Sequence, residues 1–103
     1  MKRIIASAVL ASAFVAAPAM ADLELAKKSG CLACHSVEAK VVGPAWKDVA
    51  AQVKDRTRII SSIKKGSKGN WTAVTGGVPM PPYSPRVSDE NIEKLADFIM
   101  GLH

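Results

Sequence analysis

Cys31-Leu32-Ala33-Cys34-His35 is the stretch on which the reading of this chain turns. It holds both cysteines and one of the two histidines. On a helical turn, residues at i, i+3 and i+4 share a face. Both thiols and the imidazole then point the same way, with only aliphatic Leu32 and small Ala33 between them. A disulfide between the cysteines would close a tiny loop, which removes little unfolded-state entropy and stabilises little. A thioredoxin-like redox pair belongs in a βαβ context, and no alternating strand pattern is present. A zinc site wants four ligands with paired spacing, and only His103 remains outside the motif.

The start of the chain narrows the choice. Met1-Lys2-Arg3 is positive, residues 4–17 are apolar and uncharged, and Pro18-Ala19-Met20-Ala21 precedes the first acid, Asp22. This is the pattern of a secretory signal peptide, residues 1–21, cut after Ala21. The alternative, an uncleaved anchor, meets a run shorter than the ~20 apolar residues a spanning helix needs. The mature chain is residues 22–103, one small domain, expected outside the cytoplasm without stable membrane insertion. Its 12 basic and 9 acidic residues leave a formal charge of +3. No basic run suggests nucleic-acid binding, while a basic patch could attract an acidic protein partner. So small a core usually needs a staple. In an exported chain, Cys-x-x-Cys-His is the attachment motif of haem c. The two thiols add to the vinyl groups as thioethers, and His35 brings an imidazole nitrogen under the iron. One motif means one haem.

The rest reads as all-α. Asp22 is a candidate N-cap for a first helix ending near Ser29-Gly30, and residues 31–36 continue as a helical turn. Pro44 suits the first turn of a helix over 45–53. Asp55 or Thr57 caps a helix over 56–65 that carries Ile59, Ile60 and Ile63 inward, with Gly66 as its stop. Residues 67–87 are rich in Gly, Pro, Ser and Thr, a long irregular segment of the kind that carries function. Ser88 caps a last helix over 89–101, whose Ile92, Leu95, Ala96, Ile99 and Leu102 form one apolar face. Asp89 and Glu90 in its first turn favour the helix dipole.

Iron needs a sixth ligand or an open position, and Met80, Met100 and His103 are the candidates. Met80 stands in Val78-Pro79-Met80-Pro81-Pro82. Its prolines fix φ and lack N–H donors, so the segment is stiff and suited to presenting one side chain across a cavity. A methionine also packs gaps well, but this loop and the precedent of Met/His haems favour ligation. Met100 lies at the margin of the last helix's apolar face, and His103 is terminal.

Gly30-Cys31-Leu32-Ala33-Cys34-His35, Val42-Gly43-Pro44-Ala45, Ile63-Lys64-Lys65-Gly66-Ser67 and Val78-Pro79-Met80-Pro81-Pro82 together resemble the short bacterial class I cytochromes c. The likeness covers essentially the whole mature chain. It implies a compact fold of about four short helices around one buried haem, with His35 proximal and Met80 distal. It also implies that the Pro44 carbonyl accepts a bond from the other His35 nitrogen, orienting the ring, and that Trp71 donates its indole N–H to a haem propionate. Two features depart from the family. The run from Thr72 to Pro79 between Trp71 and Met80 is longer than usual, and Tyr83 stands where many relatives have an asparagine bonded to the methionine sulfur. Without that bond the thioether is the better donor to Fe(III), and a slightly lower potential is expected.

With both axial positions filled, such an iron has no place for substrate but exchanges single electrons through the haem edge. The chain is thus expected to be an electron carrier and not an enzyme. The resemblance implies a monomer in the periplasm that acts between a redox protein donor and acceptor, drawn from a cytochrome complex, a nitrite reductase, an oxidase or a peroxidase. Lys27, Lys28, Lys64, Lys65 and Lys68 either ring the haem edge and steer acidic patches or form a plainly solvated face. The rival functions are a peroxidase-like or gas-sensing haem with Met80 off the iron, and a fixed subunit of a larger redox complex.

Overall fold

The computed structural model describes residues 16–102, and side-chain surroundings from Asp22 onward. Most of the expected export segment, residues 1–15, and the terminal His103 lie outside the described residues. Five helices follow in order: α1 (Ala16–Lys28), α2 (Trp46–Gln52), α3 (Arg56–Lys65), α4 (Thr72–Thr75) and α5 (Asp89–Met100). A single 3₁₀ turn, Cys31–Ala33, stands between α1 and α2.

α5 is the axle, and α1, α2 and α3 all pack on it. Its Ile92, Leu95, Ala96 and Ile99 are buried, as their spacing predicts. Ser88 accepts from the Asn91 N–H at its start. Ile92 and Leu95 are almost wholly enclosed, each worth about 1.5–3 kcal/mol relative to exposure. Ile59 and Ile63 of α3, Ala26 of α1 and Trp46 of α2 complete the core around them.

α3 has the predicted bounds. The Asp55 carboxylate accepts from the Thr57 and Arg58 N–H groups, satisfying two donors left over at a helix start. Gly66 ends the helix at φ 86°. Two ion-pair clips run between α3 and α5 at opposite ends of α3. Arg56 grips Asp97 at 2.6 Å and reaches Glu93 at 3.4 Å, and Lys64 meets Asp89 at 3.3 Å.

Three expectations are corrected. α1 begins at Ala16, so Asp22 lies inside the helix and does not cap it. Alanine is the strongest helix former, and Pro18 falls in the first turn, where its missing N–H costs nothing. α2 is shorter than residues 45–53, with Ala45 as its N-cap. The segment 67–87 is not wholly irregular, because α4 occupies part of it.

Candidate haem-binding site

Gly30 turns the chain out of α1 in a left-handed conformation, φ 86°. The 3₁₀ turn then closes with the Cys34 N–H on the Cys31 carbonyl at 3.2 Å and the His35 N–H on the same carbonyl at 3.0 Å. These bonds bring both thiols and the imidazole to one cavity. Burial pushes the Cys31 thiol up, with the nearby Arg86 guanidinium pulling the other way. The two sulfurs are not joined to each other.

The chain next loops out and returns. Gly43 donates to the Cys34 carbonyl at 2.7 Å, and Trp46 to the Ser36 carbonyl at 2.9 Å. The return places the Pro44 carbonyl 2.8 Å from His35 Nδ1. A carbonyl only accepts, so Nδ1 carries the proton and Nε2 keeps its lone pair. Burial holds the imidazole below its ordinary value, opposed by the Pro44 bond. The ring is therefore a neutral base with one nitrogen free for a metal. Gly43 has no alternative here, because a Cβ would lie 2.6 Å from His35 Cε1.

Met80 reaches the same cavity from the far part of the sequence. Its backbone forms a bridge with Ser67, the Met80 N–H donating at 2.7 Å and the Met80 carbonyl accepting at 3.0 Å. Further along, Tyr83 donates to the Ile63 carbonyl at 3.0 Å and Ser84 to the Lys64 carbonyl at 3.3 Å. The proline-rich segment is thus buttoned to the end of α3. Gly66 permits this approach, since a Cβ would sit 2.6 Å from the Met80 carbonyl oxygen.

Cys31, Cys34, His35, Pro44, Trp71 and Met80 all line this cavity, which encloses about 1180 Å³ counted out through its open mouth. Met100 does not line it and packs against the core from the end of α5. Trp71 is the N-cap of α4, accepting through its carbonyl from both Val74 and Thr75 at 2.9 Å. The extra residues before Met80 are thereby wound into one helical turn, closed by Gly76 and Gly77 at positive φ.

Three contributors were not assigned their places by the sequence. Arg58 lines the cavity wall and brings a permanent cation. Trp46 stacks on the His35 ring. Tyr83 is buried, with Arg86 over its ring at 4.9 Å. Burial raises the Tyr83 phenol, and the neighbouring Cys31 and Cys34 add to the effect. Its ring therefore belongs to the wall beside the cysteines. Two thiols, a neutral imidazole and a thioether, gathered in one mainly apolar cavity, fit a haem with its iron.

The cytochrome c family model matches residues 23–103. This chain belongs to the cytochrome c family. It is 50% identical to cytochrome c-552 of Nitrosomonas europaea over 92 residues, covering 85% of this chain and 84% of that protein. Cytochrome c-551 of Allochromatium vinosum is 48% identical over 92 residues, covering 85% and 93%. The crystal structure of wild-type Nitrosomonas europaea cytochrome c552 superposes with a TM-score of 0.70 at 48% identity, covering 79% of this chain and 99% of that one. The class 1 cytochrome MtoD of Sideroxydans lithotrophicus aligns with a TM-score of 0.65 at 26% identity, covering 81% and 94%. As a small bacterial class I cytochrome c, the protein carries one covalently attached haem c with its iron and is an electron-transfer protein.

Proposed function

We propose that this cytochrome is an exported carrier whose haem is held through thioethers at Cys31 and Cys34, with His35 and Met80 as the two axial ligands. The observation that carries this reading is that His35 and Met80 line one cavity and each is fixed there by its own hydrogen bonds. Bound there, the haem supplies a one-electron couple. The chain's residues do the rest. The Pro44 carbonyl holds the imidazole proton on Nδ1 and raises the donor strength of Nε2. The Met80 thioether would be the second ligand to the iron and would raise its potential relative to two histidines. The apolar wall would keep water from the iron, so that oxidation and reduction would need little rearrangement. Arg58 and Trp71 line the cavity and would donate to the haem propionates.

Redox proteins are the partners of such a carrier. Val42 and Val78 line the cavity and are respectively 40% and 52% exposed, so its mouth is apolar. Lys68 follows one lining residue and precedes another. Lys27 and Lys28 end α1, and Lys65 ends α3 beside Lys64, which is already paired with Asp89. These lysines favour a partner with acidic patches, meeting a monomeric carrier in the periplasm after cleavage behind Ala21. No described helix is long and apolar enough to cross a membrane.

The test is carbon monoxide. The reduced protein at neutral pH is expected not to bind it, because Met80 occupies the sixth position. Ready binding, with a high-spin oxidised spectrum, would replace the carrier with a gas sensor or peroxidase-like haem. The potential offers a second check: Tyr83→Asn is expected to raise it by restoring a donor to the sulfur, and a fall would contradict that.

A further inference from the structure

The His35 ring is fixed by more than its hydrogen bond. The Trp46 indole lies nearly parallel to it, with ring centroids 5.5 Å apart and planes 20° apart. The Gly43 Cα closes on the Cε1 edge, where no further carbon would fit. A hydrogen bond at Nδ1 alone leaves the imidazole able to swing about that bond. A ring face laid against its own face removes that freedom. Trp46 is itself immobilised, being 3% exposed. Phe98 of α5 meets it edge-on at 6.0 Å and 85°, an arrangement aromatic pairs prefer. Behind the imidazole, then, runs a line of contacts from His35 through Trp46 of α2 to Phe98 of the central helix.

We infer that Trp46 is a positioning residue that sets the plane of the His35 imidazole relative to the haem, and that Phe98 holds Trp46 in place. This rests on the reading of His35 as an iron ligand. Trp46 touches neither the iron nor the sulfur of Met80 in this role. It acts only through the imidazole, whose p orbitals overlap with the iron d orbitals in a way that depends on the ring plane. The orientation of that plane, together with that of the Met80 sulfur lone pair, decides how unpaired spin in the oxidised state is shared among the four pyrroles.

The experiment compares oxidised wild type, Trp46→Leu, Trp46→Phe and Phe98→Leu by proton NMR of the haem methyl groups and by EPR. Trp46→Leu frees the ring to sample several planes, so the spread of methyl shifts narrows and the largest g value broadens. Trp46→Phe restores both signatures in large part, because it keeps a flat face against His35. Phe98→Leu gives a smaller change of the same kind. The far-red band from Met80 stays in every variant, which separates an effect on His35 from loss of the distal ligand. Unchanged methyl shifts and g values in folded Trp46→Leu would overturn the inference while leaving His35 ligation intact. A wild type without the signature of histidine–methionine iron would overturn the ligand reading itself. Should Trp46→Leu fail to fold, Phe98→Leu and Trp46→Phe decide. Phe98→Leu must then narrow the spread, with Trp46→Phe closer to wild type, and wild-type spectra in both contradict the inference.

Discussion

The His35 side and the Met80 side of the cavity are built on opposite plans. The His35 side is local. Cys31, Cys34, His35, Gly43, Pro44 and Trp46 lie within sixteen consecutive residues, 31–46, and bond mostly to one another. The imidazole is held by a hydrogen bond, a stacked ring and a glycine that leaves no slack. The Met80 side is assembled across sequence. Its backbone is fastened to the end of α3, while its half-buried side chain packs against the apolar core. His35 is gripped through its ring, Met80 through its main chain. With both on the iron as proposed, the contrast teaches that Met80 should be the first to let go.

The largest effect is expected from removing the gripped ligand. His35→Ala should prevent accumulation of folded haem protein, since the proximal nitrogen and the loop packed around its ring are lost together. Met80→Ala should accumulate with its haem still covalently attached, but with an open sixth position. Expression yield and absorption spectra of the two variants check this, and equal loss of haem in both would erase the distinction.

A subtler break acts on the fastening and leaves the ligand in place. Gly66 sits at φ 86° and ψ 172°, a conformation essentially closed to other residues. Gly66→Ala should cost about 1–3 kcal/mol from backbone strain alone, with the clash against the Met80 carbonyl in addition. Denaturant unfolding measures the cost. Imidazole should also displace Met80 more readily in this variant, at concentrations that leave the wild type unchanged.

The smallest effect lies away from both ligands. Arg56 holds the Asp97 carboxyl below the usual carboxylate range. A carboxyl whose folded value is depressed contributes stability above its unfolded value and loses it as pH falls through its folded value. The pair is exposed, so its share is small. Asp97→Asn should lower the melting temperature slightly at neutral pH, and the gap should close in acid, below the depressed folded value. Neither axial ligand should notice.

These two plans also explain what could be read in advance. α3 was legible to the residue because its signals are local: a carboxylate at Asp55 that caps, a glycine at Gly66 that stops. The motif at Cys31 and the apolar face of α5 were legible for the same reason. α4 was not, because one helical turn of Thr, Ala, Val and Thr has no periodicity to detect, and its bonds depend on the Trp71 carbonyl. The start of α1 was misplaced because Asp22 has the chemistry of a cap but follows a run of alanines that carries the helix past it. The candidate residues of the site were all named from sequence. Their supports were not: Arg58 in the wall and Tyr83 beside the cysteines come from packing between distant segments, and Trp46 meets the His35 ring only once the loop between them folds back.

The central claim is that His35 and Met80 close the iron from both sides. The most direct measurement is the absorption spectrum of the oxidised protein at neutral pH, taken beside that of Met80→Ala. A low-spin spectrum with the weak far-red band of methionine bound to Fe(III), lost on replacing Met80 but retained in Met100→Leu, is the predicted result. A wild type without the band, or a band that survives in Met80→Ala, would contradict it.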